Sequence, residues 1–181
     1  MTMAKKKSGK KGLWPIIVIA SLTLIAGIII LAWLSGRPAP KDMIDVAVYF
    51  SDEEGLYLKA EKRKIDKGGL STEAKAALDE LFEGPENMSL GNTLPEGTRL
   101  LSVKIDGQTA TVDLSKEVVQ NHPGGSTGEI LTIYSIVDTL TLNFPEIKDV
   151  QILVEGRKKD TIAGHIDITT PLAPDKQIIK N

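Results

Sequence analysis

The stretch EGRKKDTIAGHID, residues 155–167, places Glu155, Arg157, Asp160, His165 and Asp167 within thirteen residues. Hydrolase sites are built from such side chains, and His165 is one of only two histidines in the chain. The sharpest chemistry on offer is an acid/base dyad, with the Asp167 carboxylate beside the His165 imidazole. Such a dyad acts only on a nucleophile, water or metal held against it. No GxSxG elbow, HExxH pair or second nearby histidine supplies one. TIAGHIDIT also alternates, with Ile162, Gly164, Ile166 and Ile168 on one side. His165 and Asp167 are therefore expected on the water-facing side of a strand. Glu155, Arg157, Lys158, Lys159 and Asp160 then form the hairpin loop before it, a solvated turn or a docking patch for an acidic partner.

Other candidates carry less. His122 stands in NHPGG before a helix N-terminus, a place that can hold an anion, but GGSTGE lacks both GxGxxG spacing and the lysine of a phosphate-binding loop. Asp113 with Glu117, and the acids of SDEEG (51–55), lack EF-hand ligand spacing and read as turn or cap residues. No catalytic, cofactor-binding or metal-ligating residue is assigned, and no cofactor is expected. The chain has no cysteine, which removes disulfides, thiolate-bound zinc, a thiol nucleophile and an acylated-cysteine anchor.

Charge is unevenly distributed. Residues 1–41 hold seven Lys or Arg and no acid, whereas residues 42–181 hold 15 basic and 24 acidic side chains. So acidic a region repels nucleic acid, and nucleic-acid binding is not expected. Residues 13–34, LWPIIVIASLTLIAGIIILAWL, carry no charge. A helix of that length reaches about 33 Å, enough for the ~30 Å hydrocarbon core, and Trp14 and Trp33 suit its two interfaces. Five lysines precede it. The expectation is a basic cytoplasmic N-terminus (1–12), a single-pass signal-anchor helix (13–34), a Pro-containing linker (35–43), an extracytoplasmic domain (44–175) and a short tail (176–181).

Within that domain, period-two patterns predict a hairpin from IDVAVYFSD and LYLKAEKRKI, with Leu56, Leu58 and Ala60 sharing a face. STEAKAALDELFEGP predicts a helix over 71–83, capped by Ser71 or Thr72 and stopped by Gly84-Pro85. TRLLSVKIDGQTATVDLS predicts a hairpin turning at Asp106-Gly107, with Leu101, Val103 and Ile105 on the face of Ala110, Val112 and Leu114. A helix is expected over 127–144, opened by a Ser126/Glu129 capping box, and then a strand at 149–155. The order is ββαββαββ: an α+β fold with two helices on a mainly antiparallel sheet, preceded by the transmembrane helix. Leu58 and Leu153 on the second sheet face leave room for a partner.

The phrases ALDELFEGP, LPEGTRLLSVKIDGQTATVDLS, GSTGEILTIYSIVDTLTLNFPEIKDVQILVEG and TIAGHIDITTPLAPD, in that order over residues 44–175, resemble the GerMN domain family of sporulation and spore germination. The resemblance implies a non-enzymatic assembly role outside the membrane. It also implies protein partners in the envelope or the mother cell–forespore channel, self-association among them, and an αββαβ core like that of ring-building domains. The alternative is a cell-envelope module that binds peptidoglycan or another ligand and is unrelated to sporulation.

Overall fold

The computed structural model describes residues 14–35 and 42–180. The expected basic N-terminus, most of the linker and the last residue of the tail lie outside the described residues. The chain separates into two compact units, residues 1–41 and 42–181.

In the first unit Trp14–Ser35 is one 22-residue α-helix, α1. Its described side chains are all exposed. Among the described residues no helix is long and apolar enough to cross a membrane. The structure therefore does not establish the span expected over 13–34.

The second unit runs β1 (Met43–Ser51), β2 (Leu58–Asp66), α2 (Leu70–Glu83), β3 (Leu100–Asp106), β4 (Thr109–Leu114), α3 (Glu117–Gln120), α4 (Ser126–Thr141) and β5 (Asp149–Val154). A 3-10 turn follows at Lys176–Ile178. The fold is α+β, but it holds two sheets where one was expected: β1-β2, and β3-β4-β5 with β4 at the centre. β1/β2 and β3/β4 are antiparallel, whereas β4/β5 is parallel. A parallel neighbour requires a long crossover, and α4 supplies it. α2 packs against β1, β2, β3 and α4, while α4 packs against β1 and β5. One core runs between them through Val48, Phe50, Leu78, Leu114, Ile133, Ile136, Leu140 and Ile152.

Helix α4 is buried on nearly every side from Glu129 to Thr141. A helix so enclosed must find partners for its polar side chains. Thr139, and Asn143 just past the helix end, find them on β1. Tyr49 N donates to Thr139 Oγ1 at 3.2 Å. Ala47 N donates to Asn143 Oδ1 at 2.8 Å, and Asn143 Nδ2 donates back to Ala47 O at 2.6 Å. The outer edge of β1 is thus completed by helix side chains in place of a neighbouring strand.

Arg63 is enclosed on the core-facing side of β2. Its guanidinium reaches Glu61 (2.6 Å), Glu80 (3.0 Å) and Gly84 O (2.8 Å), with Glu86 at 3.3 Å. The network ties β2 to the C-terminal end of α2. Burial works against the Arg63 charge, but the surrounding carboxylates outweigh it and raise its pKa. On the other face of β1-β2, Tyr49, Leu58 and Leu131 are covered by Ile178 and Ile179. The C-terminal segment is pinned there by Lys180 N donating to Leu58 O at 2.8 Å. Leu58 is therefore a core residue and not part of a free partner surface, whereas its expected companions Leu56 and Ala60 are exposed.

Several boundaries differ from expectation. The β3/β4 loop is Gly107-Gln108, since Asp106 pairs with Thr109 and Ile105 with Ala110. Gly107 takes φ 58° and Gln108 does not share its positive φ, which suits a hairpin with glycine at the first turn position. The register slips between Leu100 and Ser102, so Leu100 joins the core and Leu101 turns outward at 45% exposure. Gly69 and not Ser71 or Thr72 caps α2, and Glu73 reaches back to Gly68 N at 2.8 Å. Gly125 opens α4 without a side-chain cap, and the helix ends at Thr141 with Phe144 N donating to Leu140 O in one further turn. The short helix α3 was not expected.

The last predicted strand is absent. Residues 158–170 form no strand, and β5 is followed by a tight turn that pairs only Val154 with Arg157. Farther on, Leu172 alone exchanges two backbone hydrogen bonds with Val150. Ile162 and Ile168 are buried, in keeping with the alternation, but Gly164 is exposed at φ 97°.

Candidate functional site

The predicted His165/Asp167 dyad does not form. Asp167 Oδ1 accepts from Thr169 N (2.8 Å) and Thr169 Oγ1 (2.6 Å), which hold its carboxyl below the usual range. His165 turns instead to Glu129, in the first turn of α4.

Glu129 is fully buried. Its Oε1 accepts from Ile162 N at 2.9 Å and Ala163 N at 2.8 Å. Its Oε2 accepts from His165 N at 2.7 Å and lies 3.0 Å from His165 Nδ1. Burial alone would raise the carboxyl pKa, but these backbone and ring donors outweigh it and lower it. Four contacts therefore meet the two oxygens, three of them from backbone N–H groups. Three N–H groups that a strand at 161–169 could have offered to a ladder are spent on this carboxylate, and those of Gly164, Ile168 and Thr169 bond within the segment, which leaves no ladder to form.

His122 lies beside the same helix end. Gly124 N donates to its Nδ1 at 2.9 Å, which leaves the ring proton on Nε2, 3.3 Å from Thr132 Oγ1. Thr132 Oγ1 in turn donates to Thr93 O at 2.5 Å. Burial lowers the His122 pKa, in agreement with a neutral ring accepting from Gly124. A cleft of about 430 Å³ opens against this chain, lined by Thr93, Leu94, Asn121, His122, Leu131 and Thr132 among others. The buried Thr93 Oγ1 has no partner.

The remaining candidates are spread apart. Asp113 Oδ1 accepts from Gly156 N at 2.8 Å, and Glu117 sits 3.6 Å from Arg99. In SDEEG, Asp52 Oδ1 accepts from Leu56 N and Tyr57 N, a turn role as expected, while Glu53 and Glu54 are exposed. Glu155 occupies the tight turn at φ 52° and accepts from Lys116 N at 2.8 Å. Lys158 Nζ donates to Thr169 O, and Asp160 O accepts from Ile168 N. Among the described residues no group of three or more His, Cys, Asp or Glu is placed to hold a metal ion.

Two buried carboxyls escaped sequence reasoning. Glu129 lies four residues before Ile133, on the core-facing stripe, which was a usable signal that the capping-box reading concealed. Asp138 is fully buried in the last turn of α4 and accepts only from Asp175 N, at 3.1 Å through Oδ1, leaving Oδ2 without a partner. Burial, with Asp175 close by, pushes its pKa up to about 7.

The sequence profile of the Germane family, described as sporulation and spore germination, matches residues 47–160. The chain belongs to the Germane family. No curated protein matches it. Solved structures share its Germane fold. A Clostridium perfringens protein provisionally assigned as a lipoprotein is 31% identical, with a TM-score of 0.54 over 78% of this chain and 94% of that one. The tandem GerMN domains of the Bacillus subtilis sporulation protein GerM are 22% identical, with a TM-score of 0.57 over 73% of this chain and 46% of that one. The first of those GerM domains alone is 20% identical, with a TM-score of 0.53 over 74% of this chain and 98% of that one. The Germane chain thus spans about half of the tandem protein and nearly all of a single domain.

Proposed function

We infer that this Germane chain is a non-enzymatic assembly protein of sporulation or spore germination, held at the cell membrane by residues 13–34 with its domain outside the cytoplasm. The observation that carries the reading is the family match over residues 47–160. The backbone contacts on Glu129 and the separation of His165 from Asp167 support a non-enzymatic role. Anchoring is supported by the single helix α1 over an uncharged sequence with Trp14 and Trp33 near its ends. Five lysines ahead of it favour a cytoplasmic N-terminus.

The test is in-cell crosslinking of the full-length chain in a spore-forming host, with reporter fusions at each terminus. The expected result is specific crosslinked protein partners during sporulation, with activity of an extracytoplasmic reporter at the C-terminus only. Extracytoplasmic activity at the N-terminus removes the topology, and a chain without crosslinks at any stage removes the assembly role. A second reading, an envelope-ligand module, draws on the cleft beside His122 and its unpartnered Thr93 hydroxyl. Retention on purified peptidoglycan that is lost in Thr93→Val supports it; absence of retention excludes peptidoglycan as the ligand.

A further inference from the structure

The start of α3 and the turn after β5 face each other across a cleft of about 550 Å³. Lys116, Val119 and Gln120 form one wall; Val154, Glu155, Arg157 and Lys159 form the other. The walls are tied together. Glu155 Oε1 accepts from Lys116 N at 2.8 Å, Glu155 N donates to Leu114 O at 2.9 Å, and Gly156 N donates to Asp113 Oδ1 at 2.8 Å. Arg157 exchanges two backbone hydrogen bonds with Val154, so the base of its side chain is fixed. Lys158 is directed away to Thr169 O, which leaves Arg157 and Lys159 on the cleft side.

Three cations therefore converge on a preformed concavity in a domain whose acids otherwise outnumber its bases, 24 to 15. Among the described residues none of the three is in an ion pair, whereas Lys64, Lys75 and Arg63 are. Glu155 is the one carboxylate in the lining and its Oε1 is taken by Lys116 N, so the three cations outnumber it and provide complementarity for an external carboxylate. The guanidinium fork and two ammonium groups suit carboxylates, and the half-buried Val119 offers apolar contact for a side chain between them. A recessed cleft favours a polypeptide over a flat layer of headgroups.

We propose that this cleft receives an acidic segment of a protein partner, with Arg157, Lys159 and Lys116 pairing with its carboxylates. The proposal rests on the assembly reading above and names the chemistry of the partner.

The test uses the full-length chain in uncharged detergent and a fluorescent dodecapeptide of alternating Glu and Leu, followed by anisotropy. Binding is expected, with weakening as salt rises and none for the peptide with Gln in place of Glu. Arg157→Glu with Lys159→Glu should lower affinity at least about tenfold, as should the milder Arg157→Gln with Lys159→Gln to a lesser degree. Lys62→Glu with Lys67→Glu, an equal charge change on exposed lysines elsewhere, should leave it unchanged. Equal losses in both double variants, or no loss in the first, overturn the proposal. So does cleft-dependent binding to phosphatidylglycerol vesicles with none to the peptide, or cleft-dependent self-association seen by sedimentation without it. If the cleft variants keep their in-cell crosslinks while the peptide fails to bind, the cleft is wrong and the assembly role survives. A wild-type chain that shows neither crosslinks nor peptide binding removes that role as well.

Discussion

Glu129 Oε2 holds His165 twice, accepting from its backbone N–H at 2.7 Å and lying 3.0 Å from its ring Nδ1. The backbone contact and the two at Ile162 and Ala163 do not depend on the imidazole. Glu129→Ala strands three backbone donors and should cost on the order of 3 kcal/mol, whereas His165→Ala, at a half-exposed ring, should cost less than about 1 kcal/mol. Urea unfolding of both variants checks this. Equal costs would mean that the imidazole and not the loop backbone is what Glu129 holds.

Asp138 gives the domain a stability that falls with rising pH. Its pKa is raised to about 7 in the fold from the ordinary 3.8, so the folded state binds the proton more tightly than the unfolded chain. The contribution is complete below about pH 4, declines between there and pH 7, and amounts to ~4 kcal/mol at most. Asp138→Asn, which cannot ionise, should flatten the melting temperature between pH 5 and pH 8 and exceed the wild type at the upper end. A wild-type melting temperature that rises over that interval contradicts the assignment. The groups around Asp138 are Asp175, Lys176, Tyr49 and Tyr134, and only Lys176 opposes the shift by its charge.

Removing Arg63 should be costly because its partners cannot follow it into solvent. Arg63→Ala leaves the largely enclosed Glu61 and the Gly84 carbonyl without their cation, a loss of roughly 3–5 kcal/mol. Arg63→Lys should recover only part, since one ammonium cannot span Glu61, Glu80 and Gly84 O together. Guanidinium-induced unfolding of the pair reads the difference; full recovery by lysine would show that charge alone suffices.

Asn143→Ala should uncover the β1 edge. Ala47 would lose both its hydrogen bonds to Asn143, at a cost of about 2 kcal/mol, and the bared edge should promote association. Light scattering on mild warming checks this, and a variant that is destabilised without aggregating would mean the edge stays shielded by other groups.

The sequence made the β3/β4 hairpin legible because residue parity settles which face is buried. Val103, Ile105, Ala110, Val112 and Leu114 do share one. It misplaced the turn by one residue because Asp-Gly and Gly-Gln both offer a glycine to the loop, and only the pairing of Asp106 with Thr109 decides between them. Parity failed at TIAGHIDIT, where alternation exists without a strand. The deciding group, Glu129, lies over 30 residues earlier and draws the backbone donors to itself. Asp138 was illegible for a related reason: a polar residue on a wholly enclosed helix resembles one on a solvated face until its neighbours are known. The basic cleft was half legible, since Arg157 and Lys159 adjoin in sequence while Lys116 reaches them only through the fold.

The helix side chains that complete β1 lie 90 and 96 residues downstream of the groups they satisfy. Made at ~5–20 residues per second, a nascent chain that has completed β2 at Asp66 waits roughly 4–15 s before Asn143 exists. During that interval Ala47 and Tyr49 present unpaired amides to whatever is nearest. An early element of the domain thus waits for a late one, and elongation speed sets the length of that wait.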